Sequence, residues 1–219
     1  MPRDCGIVFT EVPQSLAAGA ERLQTSRLKR LIDIFGAAMG LVLLSPFLLL
    51  VAIAVLIEHP GPIIFRQRRT GYGGVPFVIY KFRTMTVLED GHMVVPATRD
   101  DGRTTRFGRF LRRTSIDELP QLVNVLKGDM SLVGPRPHAL AHDEFFGGTV
   151  RGYDDRFLAK PGITGLAQVS GLRGEIRGPS CMAARLDKDL EYVSRWSVGM
   201  DIDILFRTLT MGPFHPAAY

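Results

Sequence analysis

From residue 34 to residue 57 the chain carries no charged side chain; Asp33 stands before this run and Glu58 after it. A helix of that length, at about 1.5 Å per residue, matches the ~30 Å hydrocarbon core of a bilayer. Two details favour a helix that enters one leaflet, breaks and returns. Ser45-Pro46 sits at the midpoint, and proline removes a backbone donor and crowds the preceding turn. Both flanks are basic, with Arg27, Lys29 and Arg30 before and Arg66, Arg68 and Arg69 after, which places both ends on the cytoplasmic side. Each arm then has about a dozen residues, ~17 Å or half a bilayer. The Ser45 hydroxyl is placed to satisfy a backbone group freed by the break. The pattern alone leaves re-entry and spanning open, with a soluble core helix below both.

The other elements are shorter. Residues 1–26 show no strong period and read as a flexible leader before an anchor at residues 27–59. Residues 63–65 and 77–80 read as strands of a hairpin around a turn at residues 71–74. Residues 88–104 are polar and read as a loop. Residues 106–113 mix arginines with Phe107, Phe110 and Leu111, a short amphipathic helix lying either on the protein surface or on a membrane surface. Leu119, Leu122, Val123 and Leu126 follow a helical period, with Gly128 as C-terminal cap. Pro120 is tolerated only in a first turn, so Asp117 becomes the expected N-cap and Glu118 the first helical residue. Residues 182–196 suggest a further helix, and Ile202, Leu205, Phe206 and Leu209 a last one. The fold class is α+β: a small, mostly helical domain over residues 60–219 with a short β-hairpin.

Composition adds a sign. The 219 residues are 46% hydrophobic and 22% charged, which excludes a disordered chain, and 27 Lys+Arg against 22 Asp+Glu leave a net charge of +5. That excess suits an anionic partner: a lipid headgroup, a phosphorylated substrate or a nucleic acid. Cys5 and Cys181 show no metal or disulfide spacing and read as free thiols in a reducing compartment. No secretory signal is apparent, because the first long apolar run starts only after residue 33.

Several short motifs carry candidate chemistry. Asp117-Glu118 puts two carboxylates at a helix start, with Arg109, Arg112 and Arg113 just before; donors and cations favour the ionised form that a nucleophile or Mg²⁺ ligand requires. The bland alternative is a capping Asp beside a solvated Glu. Gly134-Pro135-Arg136-Pro137 is rigid backbone around one guanidinium, suited to bidentate phosphate binding or to a plain tight turn. Lys81-Phe82-Arg83 puts two cations on one side of a strand, for phosphate or for solvent. Pro161 to Gly165 reads as an ordered loop, followed by Gln168, Arg173 and Glu175. Asp187, Asp189 and Asp201 read as solvated or capping. The histidines lack metal-ligand spacing, and neither a Walker lysine loop nor a dinucleotide-binding glycine fingerprint is present.

Taken in order, Phe65-Arg66-Gln67-Arg68-Arg69-Thr70-Gly71, Lys81-Phe82-Arg83-Thr84-Met85, Ser115-Ile116-Asp117-Glu118-Leu119-Pro120-Gln121-Leu122, Gly128 to Pro137, Lys160 to Gly165 and Trp196-Ser197 form a combination. It resembles the bacterial sugar transferases that start exopolysaccharide assembly, the monotopic polyprenyl-phosphate phosphoglycosyl transferases, over about residues 28–210. The resemblance implies a re-entrant membrane helix with a Ser-Pro break, matching Ser45 and Pro46. It implies membrane-surface amphipathic helices and a catalytic domain on the cytoplasmic face of the bacterial inner membrane. It implies attack by Asp117 on the β-phosphate of a UDP-sugar, release of UMP, and transfer of the phosphosugar from the enzyme to undecaprenyl (polyprenyl) phosphate. In that scheme Asp117 and Glu118 serve catalysis and hold Mg²⁺. Arg112 and Arg136 hold phosphates, with Lys81, Arg83 and Arg173 as further phosphate-binding candidates. Residues 171–175 resemble the subgroup that begins with glucose-1-phosphate. Two departures stand out: many relatives carry a large N-terminal multi-span region, and Glu191 precedes Tyr192 where relatives often have a second aromatic.

Expected partners are therefore the UDP-sugar, polyprenyl phosphate and membrane lipid, with no nucleic acid; a homodimer stays open. Two rival functions remain on the sequence alone: a basic, non-catalytic membrane scaffold, and a conventional glycosyltransferase that releases UDP. Against the scaffold, the basic residues surround carboxylates and turns rather than tracking one face.

Overall fold

The computed structural model describes residues 12–58, 60–86, 101–174, 176 and 178–211. Part of the expected leader is ordered. Helix α1 (Gln14–Thr25) buries Leu16, Ala20 and Leu23, spaced four and three apart on one face. That face packs against Val133, Tyr192, Val193 and Trp196. The flexible-leader reading is thus corrected for residues 14–25: the helical period is there, but it spans only two turns. The remainder of that leader, residues 1–11, lies outside the described residues.

A Cβ on Gly19 would stand 2.2 Å from the Val193 carbonyl oxygen, a backbone atom that cannot move aside cheaply. Gly19→Ala is therefore expected to push α1 off its seat and destabilise the fold by about 1–3 kcal/mol. For a chain of this size that lowers Tm by several degrees, roughly 2–4 °C per kcal/mol, which differential scanning fluorimetry would read. A rise in Tm would show that α1 does not dock so closely.

Helix α2 (Arg27–Glu58) starts where Ser26 Oγ accepts from the Lys29 N–H at 3.2 Å. It is long and apolar enough to cross a membrane. It is helical throughout, with no non-helical residues at Ser45-Pro46. Pro46 leaves the Val42 carbonyl without its usual donor, and Ser45 Oγ donates to that oxygen at 2.8 Å. Ala37 and Leu41 pack with Ile79, Leu122, Val125 and Met130, while Val51 and Val55 pack with Phe82 and Leu111. Phe35, Val42, Leu43, Leu49, Leu50 and Ile57 stay exposed, an apolar surface far larger than a water-soluble helix presents.

The root of α2 is tied to the body by buried polar groups. Lys29 Nζ donates to Asp201 Oδ2 at 2.9 Å and to the Val133 carbonyl at 3.1 Å; Asp33 Oδ1 accepts from Ser131 Oγ and from the Leu132 N–H. Arg30 donates to the Val125 and Leu126 carbonyls. Two of the three cations read as a charged membrane flank thus serve internal contacts. Asp201, expected to be solvated or capping, is buried and also accepts from Tyr192 and Trp196.

Strands β1 (Ile64–Thr70) and β2 (Pro76–Phe82) form the expected antiparallel hairpin, longer than the sequence period suggested. Its turn uses Gly73 and Gly74, both at positive φ. The other edge of β2 is covered by Asn124, whose Nδ2 donates to Val78 O at 2.7 Å and whose Oδ1 accepts from Tyr80 N–H at 3.1 Å. Asn124 lies on α4 (Leu122–Lys127), after α3 (Arg106–Thr114) and a 3-10 turn over Ile116–Gln121. Gly128 at φ 92° caps α4 as expected. The start of that helix differs from expectation. Asp117 is not its N-cap: Ser115, in the left-handed region at φ 59°, opens the 3-10 turn. Pro120 has no N–H and disfavours α geometry at Leu119, so the chain winds tightly until Leu122.

A second sheet was not anticipated: β3 (Ser131–Val133) pairs in parallel with β4 (Gly162–Thr164). Three-residue strands are too short for a legible alternation. α5 (Leu140–Thr149), a 3-10 turn over Tyr153–Leu158 and α6 (Leu166–Val169) follow in the intervening and next segments. α7 (Pro179–Arg195) and α8 (Val198–Met211) agree with the last two expected helices. Of the expected polar loop at residues 88–104, all but its last four residues lie outside the described residues.

Candidate active site

The tight turn after α3, the end of β2 and the loop following β3 converge on the acidic pair. Asp117 and Glu118 are 7% and 8% exposed and neither caps a helix, so the bland reading of a capping Asp beside a solvated Glu fails. Lys81 Nζ donates to Glu118 Oε1 at 2.8 Å. Arg136 forks onto Glu118 from Gly134-Pro135-Arg136-Pro137, with Nη1 on Oε2 at 2.9 Å and Nη2 on Oε1. The Asp117 carboxylate makes no hydrogen bond or ion pair to another described residue.

Electrostatics separates the two acids. Burial raises the Asp117 carboxyl to about 6; Lys81, Arg112 and Arg136 pull against that, and Glu118 adds to it. Burial also acts upward on Glu118, but Arg136 and Lys81 outweigh it and hold the carboxyl well below its ordinary range. Burial pushes Lys81 down, opposed mainly by Glu118. Glu118 is thus a committed anion and Asp117 an uncommitted one, ionised at neutral pH. Lys81, Arg112 and Arg136 act on Asp117, and Arg173 feels both acids. Four cations against two carboxylates leave an excess of positive charge, suited to a polyphosphate.

The other sequence candidates divide. Arg112 lies beside Met85 Sδ at 3.4 Å, and Arg173 donates to Ser115 Oγ at the opening of the acidic turn. Arg83 lies elsewhere: its Nη1 donates to Pro60 O at 3.4 Å and it packs against Gly61. The alternation that put it beside Lys81 ends with β2 at Phe82. Arg109 donates to the Thr104 carbonyl and Gln168 to Ile163 O. Asp187 is exposed, as expected, but Asp189 is buried and paired with Arg156 at 2.9 Å. Glu175 and Cys5 lie outside the described residues; Cys181 is a free thiol.

Sequence reasoning missed Asn124, Arg156 and the internal role of Arg69, which donates to the Pro137 carbonyl. A lone Asn or Arg without a motif carries no local sign of a long-range partner. Among the described residues no group of three or more His, Cys, Asp or Glu could hold a metal. A magnesium ion prefers one or two carboxylates plus phosphate and water oxygens. Asp117 offers an uncommitted carboxylate, whereas both Glu118 oxygens already accept from cations. The donor set therefore fits an ion that arrives with a polyphosphate.

The family model described as bacterial sugar transferase matches residues 24–213. A UDP-glucose:undecaprenyl-phosphate glucose-1-phosphate transferase of Caulobacter vibrioides is 52% identical over 181 residues, covering 83% of this chain and 68% of that protein. One of the same description from Escherichia coli is 50% identical over 98% of this chain but only 45% of its own length. An N-acetylgalactosamine-phosphate transferase of Aeromonas hydrophila is 39% identical over 83% of this chain and 43% of its own length. The chain thus spans less than half the length of the latter two. With the family model matching most of the residues, the chain belongs to the bacterial sugar transferase family.

Proposed function

We propose that the chain moves a sugar-1-phosphate from a UDP-sugar to undecaprenyl phosphate through a covalent intermediate on Asp117. The observation that carries this is the unequal pair: a buried carboxylate with no hydrogen-bond or ion-pair partner among the described residues, beside one gripped by Lys81 and Arg136. An Asp117 oxygen attacks the β-phosphorus, the bond from that phosphorus to the bridging oxygen breaks, and UMP leaves with the oxygen. An oxygen of the lipid phosphate then attacks the same phosphorus, and the acyl-phosphate P–O bond breaks to return the carboxylate. Lys81, Arg112, Arg136 and Arg173 neutralise phosphate charge as it shifts. Mg²⁺, held by Asp117 with Glu118 nearby, would supply further neutralisation of the diphosphate. The relatives' names support the donor and acceptor, and at about 50% identity they point to glucose as the sugar. The test offers a panel of UDP-sugars with detergent-solubilised protein, Mg²⁺ and polyprenyl phosphate. UMP release with UDP-glucose is expected; release of UDP, or of neither, contradicts the reading.

We also read α2 as re-entrant in the bacterial inner membrane, with the catalytic domain on the cytoplasmic face. What supports this is that one body holds both ends: Asp33 accepts from Leu132 N–H, and Glu58 accepts from Phe107 N–H at 2.8 Å. A spanning helix would put those ends on opposite sides of ~30 Å of hydrocarbon. In a Cys5→Ser, Cys181→Ser background, a cysteine at exposed position Glu21 should resist an impermeant maleimide in intact cells. Pro46→Leu should straighten α2 and raise the labelling. Efficient labelling with Pro46 in place would indicate a spanning helix.

A further inference from the structure

Arg156 sits in the turn Tyr153–Leu158 and is only 3% exposed. Its guanidinium faces the loop that carries Arg136. Nη2 donates to the Arg136 backbone carbonyl at 2.6 Å and to Asp189 Oδ2 at 2.9 Å. Nη1 donates to His138 Nδ1 at 2.6 Å and to the Tyr153 hydroxyl oxygen at 2.9 Å. Each of the four terminal N–H groups thus has an acceptor, and Tyr153 passes its own hydroxyl proton toward Asp143 Oδ1 at 2.6 Å. His138 Nδ1 is the acceptor in this contact because a guanidinium nitrogen only donates, and burial, with Arg156 beside it, holds the ring well below its ordinary range. Arg69 adds a donor to the Pro137 carbonyl. Arg136, Pro137 and His138 are therefore each gripped, while the Arg136 side chain reaches Glu118.

We propose that Arg156 is a positioning residue: by gripping the Arg136 carbonyl and the His138 ring, with Asp189 of α7 as its brace, it aims the Arg136 guanidinium into the site. This rests on the phosphosugar-transfer reading above. Arg136 lies between two prolines, so its backbone has few other ways to settle, and a shift of one peptide moves the fork as a unit. Lysine at position 156 keeps the charge but cannot reach Arg136 O, Asp189, His138 and Tyr153 together.

The same cluster also joins α5, the turn and α7, so loss of stability alone would say nothing about positioning. A double-mutant cycle separates the two roles. Full-length variants are compared in detergent, with turnover corrected for folded fraction. Arg136→Lys is expected to slow turnover by about 30-fold, and Arg156→Lys by about as much, since a misaimed fork loses no more than a missing one. The double variant should fall no more than about threefold below Arg156→Lys, because an unaimed fork has little left to lose. Met182→Ala, buried in the neighbouring apolar cluster, should lower Tm yet multiply fully with Arg136→Lys. If Arg156→Lys does not fold, Asp189→Asn, which removes one of the four acceptors' charge, takes its place in the cycle. Full multiplication of the two arginine effects, unchanged turnover with a lowered Tm, or full activity of Arg136→Lys would each overturn the proposal. Absence of UMP release by the wild type would instead defeat the functional reading beneath it.

Discussion

Asp117→Asn is expected to fold, to bind membrane and donor, and to release no UMP above background. Loss of a nucleophile commonly lowers turnover on the order of 10⁴-fold or more. The substitution keeps the shape of the side chain and removes its charge, and no hydrogen bond or ion pair to another described residue is lost. Its stability should not suffer. Burial raises the folded-state Asp117 carboxyl to about 6 from an ordinary 3.8, so the folded protein binds that proton more tightly than the unfolded chain. Stability from this group is greatest below the lower value and falls as pH rises between the two. At pH 7 the ionised Asp117 is therefore a burden on the fold, and Asn should leave Tm equal or higher. An inactive variant with unchanged or raised Tm is the signature of a residue kept for chemistry. A large drop in Tm, or UMP release near wild-type rates, would contradict it.

Arg136→Lys is expected to lower turnover by about 30-fold, equivalent to about 2 kcal/mol at the transition state. Lysine preserves the positive charge beside Glu118 but replaces a planar fork, bonded to both carboxylate oxygens, with a single point donor. Part of the loss passes through Glu118: a carboxylate gripped by one point charge and Lys81 can swing toward Asp117 and engage the cations that the diphosphate needs. Steady-state UMP release measures the effect directly. Full activity would mean that a positive field suffices and that fork geometry is irrelevant.

The site was more legible in the sequence than the fold around it. Lys81, Asp117, Glu118, Arg112, Arg136 and Arg173 are gathered as the ordered motifs suggested: Asp117, Glu118, Arg136 and Arg173 sit in turns or loops, whose chemistry is local, while Lys81 stands at the end of β2 and Arg112 on α3. Arg83 stands one residue past the end of β2, so strand alternation does not extend to it, and its Nη1 donates to the Pro60 carbonyl. The hairpin, α3, α7 and α8 declared themselves by period. β3 and β4 did not, since three residues show no period and their pairing joins segments about thirty residues apart. The same long range hid Arg156, Asn124 and Asp201: their partners are set by the packed fold, and a lone polar residue in sequence reads as solvated. α1 escaped for a different reason, its apolar face being only Leu16, Ala20 and Leu23.

In the proposed mechanism Asp117 carries the phosphosugar between donor and lipid. The most direct measurement incubates the wild type with UDP-glucose labelled in the sugar, without lipid acceptor, and quenches in acid. Label is expected to stay on the protein, on a peptide containing Asp117, to be absent in Asp117→Asn, and to be discharged when polyprenyl phosphate is added before the quench. No label on the wild type, together with kinetics that require both substrates bound at once, would contradict the covalent step and leave Asp117 as a metal ligand or base in direct transfer.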